Sequence, residues 1–470
     1  MFWIPIDRTM DMPLIRQVYE QIRMRILHGE LVAGECLPPT RELASSLGIS
    51  RNVVVEAYEQ LIAEGYIEAQ QGSGTYVAEG AYLDKQEKLN CFTFFDKQQI
   101  KEETNDVIDF RSGLPALDMF PRKMWGQIAK QVCIDTSHSI FGYGYPEGRI
   151  ELRHILARYL KRTRGVYCHS DQLVITSGAT QGLSLIASLL LSPGDEVIIE
   201  DPITHEIQTI FTSPGSTLHP IPVDEQGMKT DLLPANKRPS FIFVTPSHQF
   251  PLGGVLPIQR RIQLIQFART TDCYIVEDDY DSEFRYHGAP ISSLQGLDPD
   301  RVIYIGTFSK ILSPALRLGY LILPPSLTKR CKDLKWFTDL HTPSLQQLTA
   351  ARFIKDRHLE RHIRKMKKIY QGRRDHVKKC LAEQFGHHVN ILGDSTGLHL
   401  IAEFQNITFS DQKVEEIIKK YKVKIYPVEQ HTIQKGTHQN KVIIGYGNLT
   451  IEEIEEGIRR LKEALTSEGK

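Results

Sequence analysis

The chain has 470 residues, 41% of them hydrophobic and 24% charged, and 57 basic against 57 acidic side chains leave a formal net charge of zero. That composition is globular, the length suits about three units of ~150 residues, and a neutral chain has no bulk field drawing it onto nucleic acid or a membrane. Seven scattered cysteines without a CxxC or Cys/His cluster exclude a disulfide frame and a zinc site, read as reduced thiols of a cytoplasmic protein, and leave no metal expected.

The chain opens on FWIPIDRTMD, too short and too acidic for a signal peptide, and no apolar run approaches the ~20 residues of a membrane span. MPLIRQVYEQIRMRILHGE then places Leu14, Val18, Ile22 and Ile26 on one helical face, with Gly29 closing it. In LPPTRELASSLGISRNVVVEAYEQL, Thr40 is expected to cap a helix from Arg41, Gly48 to make a turn, and Ser50 to cap a second helix from Arg51. That spacing is helix-turn-helix. IEAQ, QGSG and TYVA read as a tight hairpin, so residues 1–78 are a winged helix. Ser50, Arg51 and Asn52 open the second helix with groups suited to phosphates and base edges, while Val54, Tyr58 and Leu61 face its core. The segment has six arginines, no lysine and a larger number of acids. One such module should hold DNA weakly, and a dimer presenting two would gain from effective concentration.

LPPTRELASSLGISRNVVVEAYEQLIAEGYIEAQQGSGTYV resembles, over its whole length, the GntR class of bacterial winged-helix repressors. The resemblance implies operator DNA as partner, with Arg41 and Arg51 contacting it and the wing glycines Gly72 and Gly74 entering the minor groove.

Residues 79–107 are charged and aperiodic and read as a linker. From 108 to 470, short apolar runs (LVITSG, EVIIED, FIFVTP, YIVEDDY, RVIYIGT) alternate with helical patterns, the mark of an α/β fold with a largely parallel sheet covered on both faces. TIEEIEEGIRRLKEAL closes the chain, and Thr450 with Glu453 makes a capping box.

Several features of this third stretch converge on one ligand. Lys310 follows the strand RVIYI inside GTFSKILSPALRLGY, at a strand end where α/β sheets build their sites. SGATQG (177–182) follows another strand and opens a helix, so its backbone amides suit a phosphate; Thr307, Ser309 and Arg317 add donors. EDDYD (277–281) brings a carboxylate and a phenol to the same edge. Pyridoxal phosphate needs such a set: an amine to form the imine, a carboxylate to keep the pyridine nitrogen protonated, and a phenol for the ring oxygen. Burial and the neighbouring Arg317 should lower the lysine's pKa and favour the neutral amine.

This stretch resembles the fold-type-I aminotransferases, and with the winged helix the chain resembles, nearly end to end, the MocR/GabR regulators. IDFRSGLPALDMFPRKMW, YGYPEGRIELRHILARYLKRTRGV, TPSHQFPLGG, EDDYDSEFRY and GTFSK carry the resemblance. It implies an aminotransferase-like effector domain with large and small subdomains over 108–470. Lys310 would hold pyridoxal phosphate, Asp278 (or Asp279, one residue on) would meet the ring nitrogen, and Tyr280 the ring oxygen. Ala179, Thr180, Thr307, Ser309 and Arg317 would hold the phosphate. Tyr143 would reach the neighbouring subunit's site, which implies a homodimer.

Three positions depart from the enzyme pattern. Phe250 replaces the asparagine of NPTG that bonds the ring oxygen. Thr204 and His205 stand where an aromatic packs by the cofactor, and His205 either stacks on the ring or is a surface residue. Ile443 occupies the slot of the arginine that binds a substrate α-carboxylate, with Lys441 two residues earlier on the same face as an imperfect substitute. The expected function is a pyridoxal-phosphate-dependent transcriptional regulator sensing an amine, an amino acid or the vitamer itself; the alternative is a competent aminotransferase with an accessory DNA-binding head. Residues 329–379 also hold sixteen Lys/Arg against five acids. There RHIRKMKKIYQGRRDHVKKCL forms an amphipathic helix with Ile363, Met366 and Ile369 inward, and Lys367, Lys368, Arg373 and Arg374 are either a solvated face or a DNA contact.

Overall fold

A computed structural model describes residues 5–81 and 106–466, which fall into two compact units. Most of the expected linker, residues 82–105, lies outside the described residues.

The first unit runs α1 (Leu14–Leu27), β1 (Cys36–Leu37), α2 (Thr40–Leu47), α3 (Arg51–Ala63), β2 (Ile67–Gln70) and β3 (Gly74–Val77). Helices α1 and α3 bury Val18, Ile22 and Ile26 against Val54, Tyr58 and Leu61. The α2–α3 turn is made by Gly48 at φ 63°, a left-handed conformation that glycine adopts without steric cost. Two capping expectations need correction. Thr40 is the first residue of α2, not its cap; Pro39 holds that place. Ser50 does sit at the cap of α3, but its hydroxyl makes no cap bond. The hairpin β2–β3 forms, and β1 adds a third strand beside β3.

The second unit carries β4 (Ile108–Asp109), α4 (Arg122–Asp135), α5 (Ile150–Arg164), β5 (Leu173–Thr176), α6 (Ala179–Leu190), β6 (Glu196–Asp201) and α7 (His205–Thr212). It continues with β7 (Thr217–Asp224), β8 (Gly227–Met228), β9 (Phe241–Val244), α8 (Ile258–Thr271), β10 (Tyr274–Asp279), β11 (Val302–Thr307), β12 (Gly319–Ile322), α9 (Pro325–Asp339), α10 (Ser344–Lys355) and α11 (His358–Phe385). Last come β13 (Val389–Leu392), β14 (His399–Phe404), α12 (Asp411–Tyr421), β15 (Val423–Lys424), β16 (Tyr426–Pro427), β17 (Lys441–Gly445) and α13 (Ile451–Thr466).

Eight strands form the large sheet in the order β5-β12-β11-β10-β9-β6-β7-β8. β5, β6, β7, β9, β10 and β11 run parallel, while β12 is antiparallel to both of its neighbours. Alternate residues of the central strands feed two cores: Val197, Ile199, Phe241 and Phe243 one face, Ile198, Ile242, Val244 and Ile275 the other. Burial on both faces is what a parallel sheet covered by helices requires. A four-stranded sheet, β13-β14-β17-β16, stands in the C-terminal part. Thr450 and Glu453 form their reciprocal capping box, at 2.7 and 3.2 Å.

Helix α11 is amphipathic as expected, with Met366 and Tyr370 buried and Ile363 and Ile369 packed against the core. Two of its four singled-out cations are not on a free face. Arg374 is buried, bonded to Asp375 and the Asp394 carbonyl, and stacked over Tyr286 at 4.7 Å. Arg373 donates to the Gly447 carbonyl. The 329–379 zone loses Lys335 in the same way, since it is fully buried and paired with Asp339.

Candidate functional site

The C-terminal ends of β6, β9, β10 and β11 lie side by side, with that of β5 beyond β12, and each delivers polar groups to one edge of the large sheet. From β5, Gly178 turns the chain at φ 94° into α6, so Ala179 and Thr180 occupy that helix's first turn with its free amides. Arg317 closes on this turn: a Cβ on Gly178 would lie 3.0 Å from its guanidinium, which donates to the Ser177 carbonyl at 2.6 Å. Arg317 itself adopts φ 48°, a left-handed conformation that costs a non-glycine residue free energy and clusters at ligand sites. Thr307 ends β11 opposite Gly319, which in turn pairs with Thr176. The Thr307 hydroxyl lies 3.1 Å from both the Ser309 hydroxyl and the Ser309 amide. Ala179, Thr180, Thr307, Ser309 and Arg317 thus come from three separate stretches of chain to one cradle.

Lys310 stands three residues past β11, half-buried. Burial lowers its pKa from the ordinary lysine value; Asp281 and Asp278 oppose that, and Arg111 adds to it. The neighbouring cation is therefore Arg111, not the expected Arg317. Gly113 crosses so closely that a Cβ there would lie 2.8 Å from the Lys310 ammonium.

The two aspartates at the end of β10 have different surroundings because successive residues of a strand face opposite sides. Asp279 accepts from the Arg164 Nε at 2.7 Å and from the Tyr304 hydroxyl, so its charge is committed to structure. Asp278 is buried, and its Oδ1 has no partner. Burial, then Asp279, pushes the Asp278 carboxyl up to about 7, against the pull of Lys310. A buried polar atom left unpaired costs about 1–3 kcal/mol; Asp279 Oδ1 is unpaired too, but its Oδ2 is held by Arg164 and Tyr304, whereas Asp278 has no such ion pair, which marks Asp278 as the aspartate with bonding capacity to spare. Tyr280 donates to the His248 carbonyl at 2.9 Å, and its oxygen lies 3.1 Å from His248 Nδ1.

Other expected residues are placed elsewhere. His205 is an exposed residue at the start of α7 with Nδ1 3.3 Å from the Thr209 hydroxyl, and Thr204 caps that helix. Tyr143 is 83% exposed, its ring edge-on to His341 at 6.3 Å, and takes no part in the cradle of its own chain. Ile443 is fully buried among Ile401, Val428 and Phe250, so the carboxylate slot is apolar. Lys441 cannot serve in its stead: it pairs with Glu403 at 3.1 Å. Sequence reasoning passed over Arg164, 115 residues from the aspartate it holds, and the buried pair His248–Asp281. HQFP and EDDYD both stand out as motifs, but nothing in either string signals that they meet. His248, Asp281 and His399 bring ligand-type atoms within 4.8 Å of one another.

In the first unit, Arg41, Ser50, Arg51, Asn52, Gly72 and Gly74 are all exposed. Arg16, Arg23 and Arg25 are engaged with Glu20 and Glu30. Gly74, at φ 128°, also admits β1, because a Cβ there would meet Cys36 Sγ at 3.3 Å.

Residues 105–461 match the family model for aminotransferase class I and II, and residues 14–77 that for bacterial regulatory proteins of the gntR family. Among curated relatives, the chain is 36% identical to the uncharacterised HTH-type transcriptional regulator YdeL of Bacillus subtilis, covering 98% of both chains. It is 34% identical to the probable rhizopine catabolism regulatory protein MocR of Rhizobium meliloti, covering 98% of this chain and 95% of that one. Among solved structures, the kynurenine aminotransferase of Pyrococcus horikoshii, in complex with PMP, superposes with a TM-score of 0.72 at 30% identity, over 78% of this chain and 93% of that one.

Proposed function

Because the chain belongs to the MocR-type transcriptional regulators of the GntR family, which join a helix-turn-helix unit to an aminotransferase class I and II unit, we propose that its second unit binds pyridoxal phosphate through Lys310 and uses it to sense an amine. The observation that carries this reading is the convergence of a partly desolvated amine, a buried carboxylate with an unpartnered oxygen, and a helix N-terminus closed by Arg317 at one sheet edge. When bound, the cofactor supplies an aldehyde for amines and an electron sink. The protein's own residues do the rest. Asp278 would accept from the pyridine N–H, Tyr280 would donate to the ring oxygen, and Ala179, Thr180, Thr307, Ser309 and Arg317 would hold the phosphate. Gly113 keeps the lysine covered.

Sensing is favoured over catalysis by Ile443. An α-carboxylate placed against Ile401, Val428 and Ile443 would lose its hydration without gaining a cation, so the effector is an amine without an α-carboxylate in that slot. The test is to load the protein with the vitamer, reduce with borohydride and map the labelled peptide. Label is expected at Lys310 alone, with less than one equivalent of keto acid from added amino acids; label elsewhere, or none, overturns the cofactor reading.

Self-association is supported by apolar rings left in solvent: Phe141, Tyr143, Tyr145 and Phe337 are 61–87% exposed. A homodimer would cover them, bring Tyr143 to the neighbouring site and pair two DNA-binding units. Operator contact rests on Arg41, Ser50, Arg51 and Asn52 at the helix-turn-helix and on Gly72 and Gly74 in the wing. With Arg373 and Arg374 committed internally, the α11 contribution falls to Lys367 and Lys368. Reversing both to glutamate should weaken operator binding and lower the slope of log affinity against log salt by about two, as measured by fluorescence anisotropy. An unchanged slope removes α11 from the DNA interface.

A further inference from the structure

Phe250 occupies the slot where aminotransferases of this fold place an asparagine against the cofactor's ring oxygen, and a phenyl ring donates nothing. Its ring sits 6.4 Å from Tyr280 and 5.4 Å from His399, centroid to centroid. The function lost at that slot has a candidate replacement two residues earlier. His248 is 1% exposed at its side chain, and Nδ1 lies 2.9 and 3.0 Å from the two oxygens of Asp281, itself 3% exposed. That geometry fixes the Nδ1 proton on the side of Asp281. The Tyr280 hydroxyl oxygen lies 3.1 Å from the same Nδ1. Gly397 lies close against the pair: a Cβ there would meet His248 Cε1 at 2.3 Å and Asp281 Oδ2 at 2.4 Å. A buried His–Asp pair carries a desolvation cost that apolar residues of the same volume would avoid, and His248 Nε2 is buried without any partner.

We infer that His248 is a positioning residue: held by Asp281, it polarises Tyr280 so that this phenol alone makes the ring-oxygen contact that tyrosine and asparagine share in the enzymes. This rests on the cofactor reading above. The one Nδ1 proton, directed at Asp281, is shared with the phenol oxygen 3.1 Å away in a three-centre bond, and that share makes the phenol O–H the stronger donor, since chained hydrogen bonds reinforce one another. Burial first, then Asp281, Asp278, Glu200 and Asp279, opposes the ionisation of Tyr280, so it stays a donor. His399 packs against the His248 ring from β14, and burial pushes it down to about 3, so it brings no competing charge.

A donor on the ring oxygen draws electron density from the proton that oxygen shares with the lysine nitrogen, so the bound chromophore loses its proton at a lower pH. The experiment is a spectral pH titration of the loaded full-length protein and its variants. His248→Gln should raise the colour-change midpoint by about one unit, the scale of a single strong interaction. Asp281→Asn, which keeps the imidazole and much of the packing, should move it in the same direction. In a Tyr280→Phe background, His248→Gln should add no further shift. An unmoved midpoint in both single variants overturns the inference, and so does an equal shift in the Tyr280→Phe background. A wild-type midpoint that moves on chelation would assign His248, Asp281 and His399 to a bound cation and overturn it too. Wild-type protein with no chromophore at all would instead sink the cofactor reading, and this inference with it.

Discussion

Lys310→Ala is expected to remove the absorbance of lysine-linked cofactor completely, abolish borohydride labelling and silence the effector response, while leaving operator binding near the wild-type level. The expectation follows from where the residue sits. It is desolvated, so its amine is shifted toward the neutral, nucleophilic form at physiological pH. The chain between β11 and the α9 region is fixed by Thr307–Ser309 and by the pairing of Thr307 with Gly319, so truncating the side chain leaves the cradle standing. Residual, non-covalent cofactor binding through that cradle should therefore persist, at much lower affinity, and dissociate on gel filtration. Arg41 and Arg51 belong to the other compact unit, whose core of Val18, Ile22, Val54 and Leu61 is self-contained. Lys310→Arg separates charge from chemistry: it restores the cation but not the nucleophile, so it should match alanine in the labelling assay. Retained label in either variant would place the reactive amine elsewhere.

The residues that could be read from sequence are those whose role is local. The strands were legible because EVIIED and RVIYIGT are apolar on both faces and end in polar residues, and the helix-turn-helix because Gly48 and Ser50 punctuate it. The Thr450–Glu453 box is likewise a matter of three residues' spacing. Long-range pairing was not legible. β1, β4 and β15 are two residues each and exist only through their partners Thr75–Tyr76 and Val423–Ile108. Arg374 has the spacing of a solvated helix face, and only the arrival of Asp394 and His287 from other elements buries it. The choice between Asp278 and Asp279 had the same cause: adjacent residues with identical chemistry are told apart by what packs on each side, and Arg164 is 115 residues away in α5.

That arginine supports the second large expectation. Arg164 lies in the last turn of α5 with 4% of its side chain exposed, and its three guanidinium nitrogens are all engaged: Nε on Asp279, Nη2 on the Ser247 hydroxyl at 2.7 Å, and Nη1 on the Ile291 carbonyl. It therefore ties α5, the β9–α8 connection and the end of β10 together directly behind the candidate site. Arg164→Met removes the cation but fills similar volume, and leaves Asp279 a buried carboxylate whose remaining donor is Tyr304. Breaking a buried pair from one side typically costs about 3–5 kcal/mol. The variant should lose about that much stability for the second unit, read by guanidinium unfolding through Trp125 and Trp336, and should also hold the cofactor less tightly, because Asp278 is the next residue along the displaced strand end. Arg164→Met combined with Asp279→Asn should recover part of the stability, since it removes the stranded charge and leaves a neutral group that still accepts from Tyr304. A single variant within about 1 kcal/mol of wild type, below the usual effect of a broken buried pair, would show that water or a rearranged neighbour compensates Asp279. In that case the separation of roles between the two aspartates, on which the assignment of the pyridine contact to Asp278 depends, would have to be abandoned.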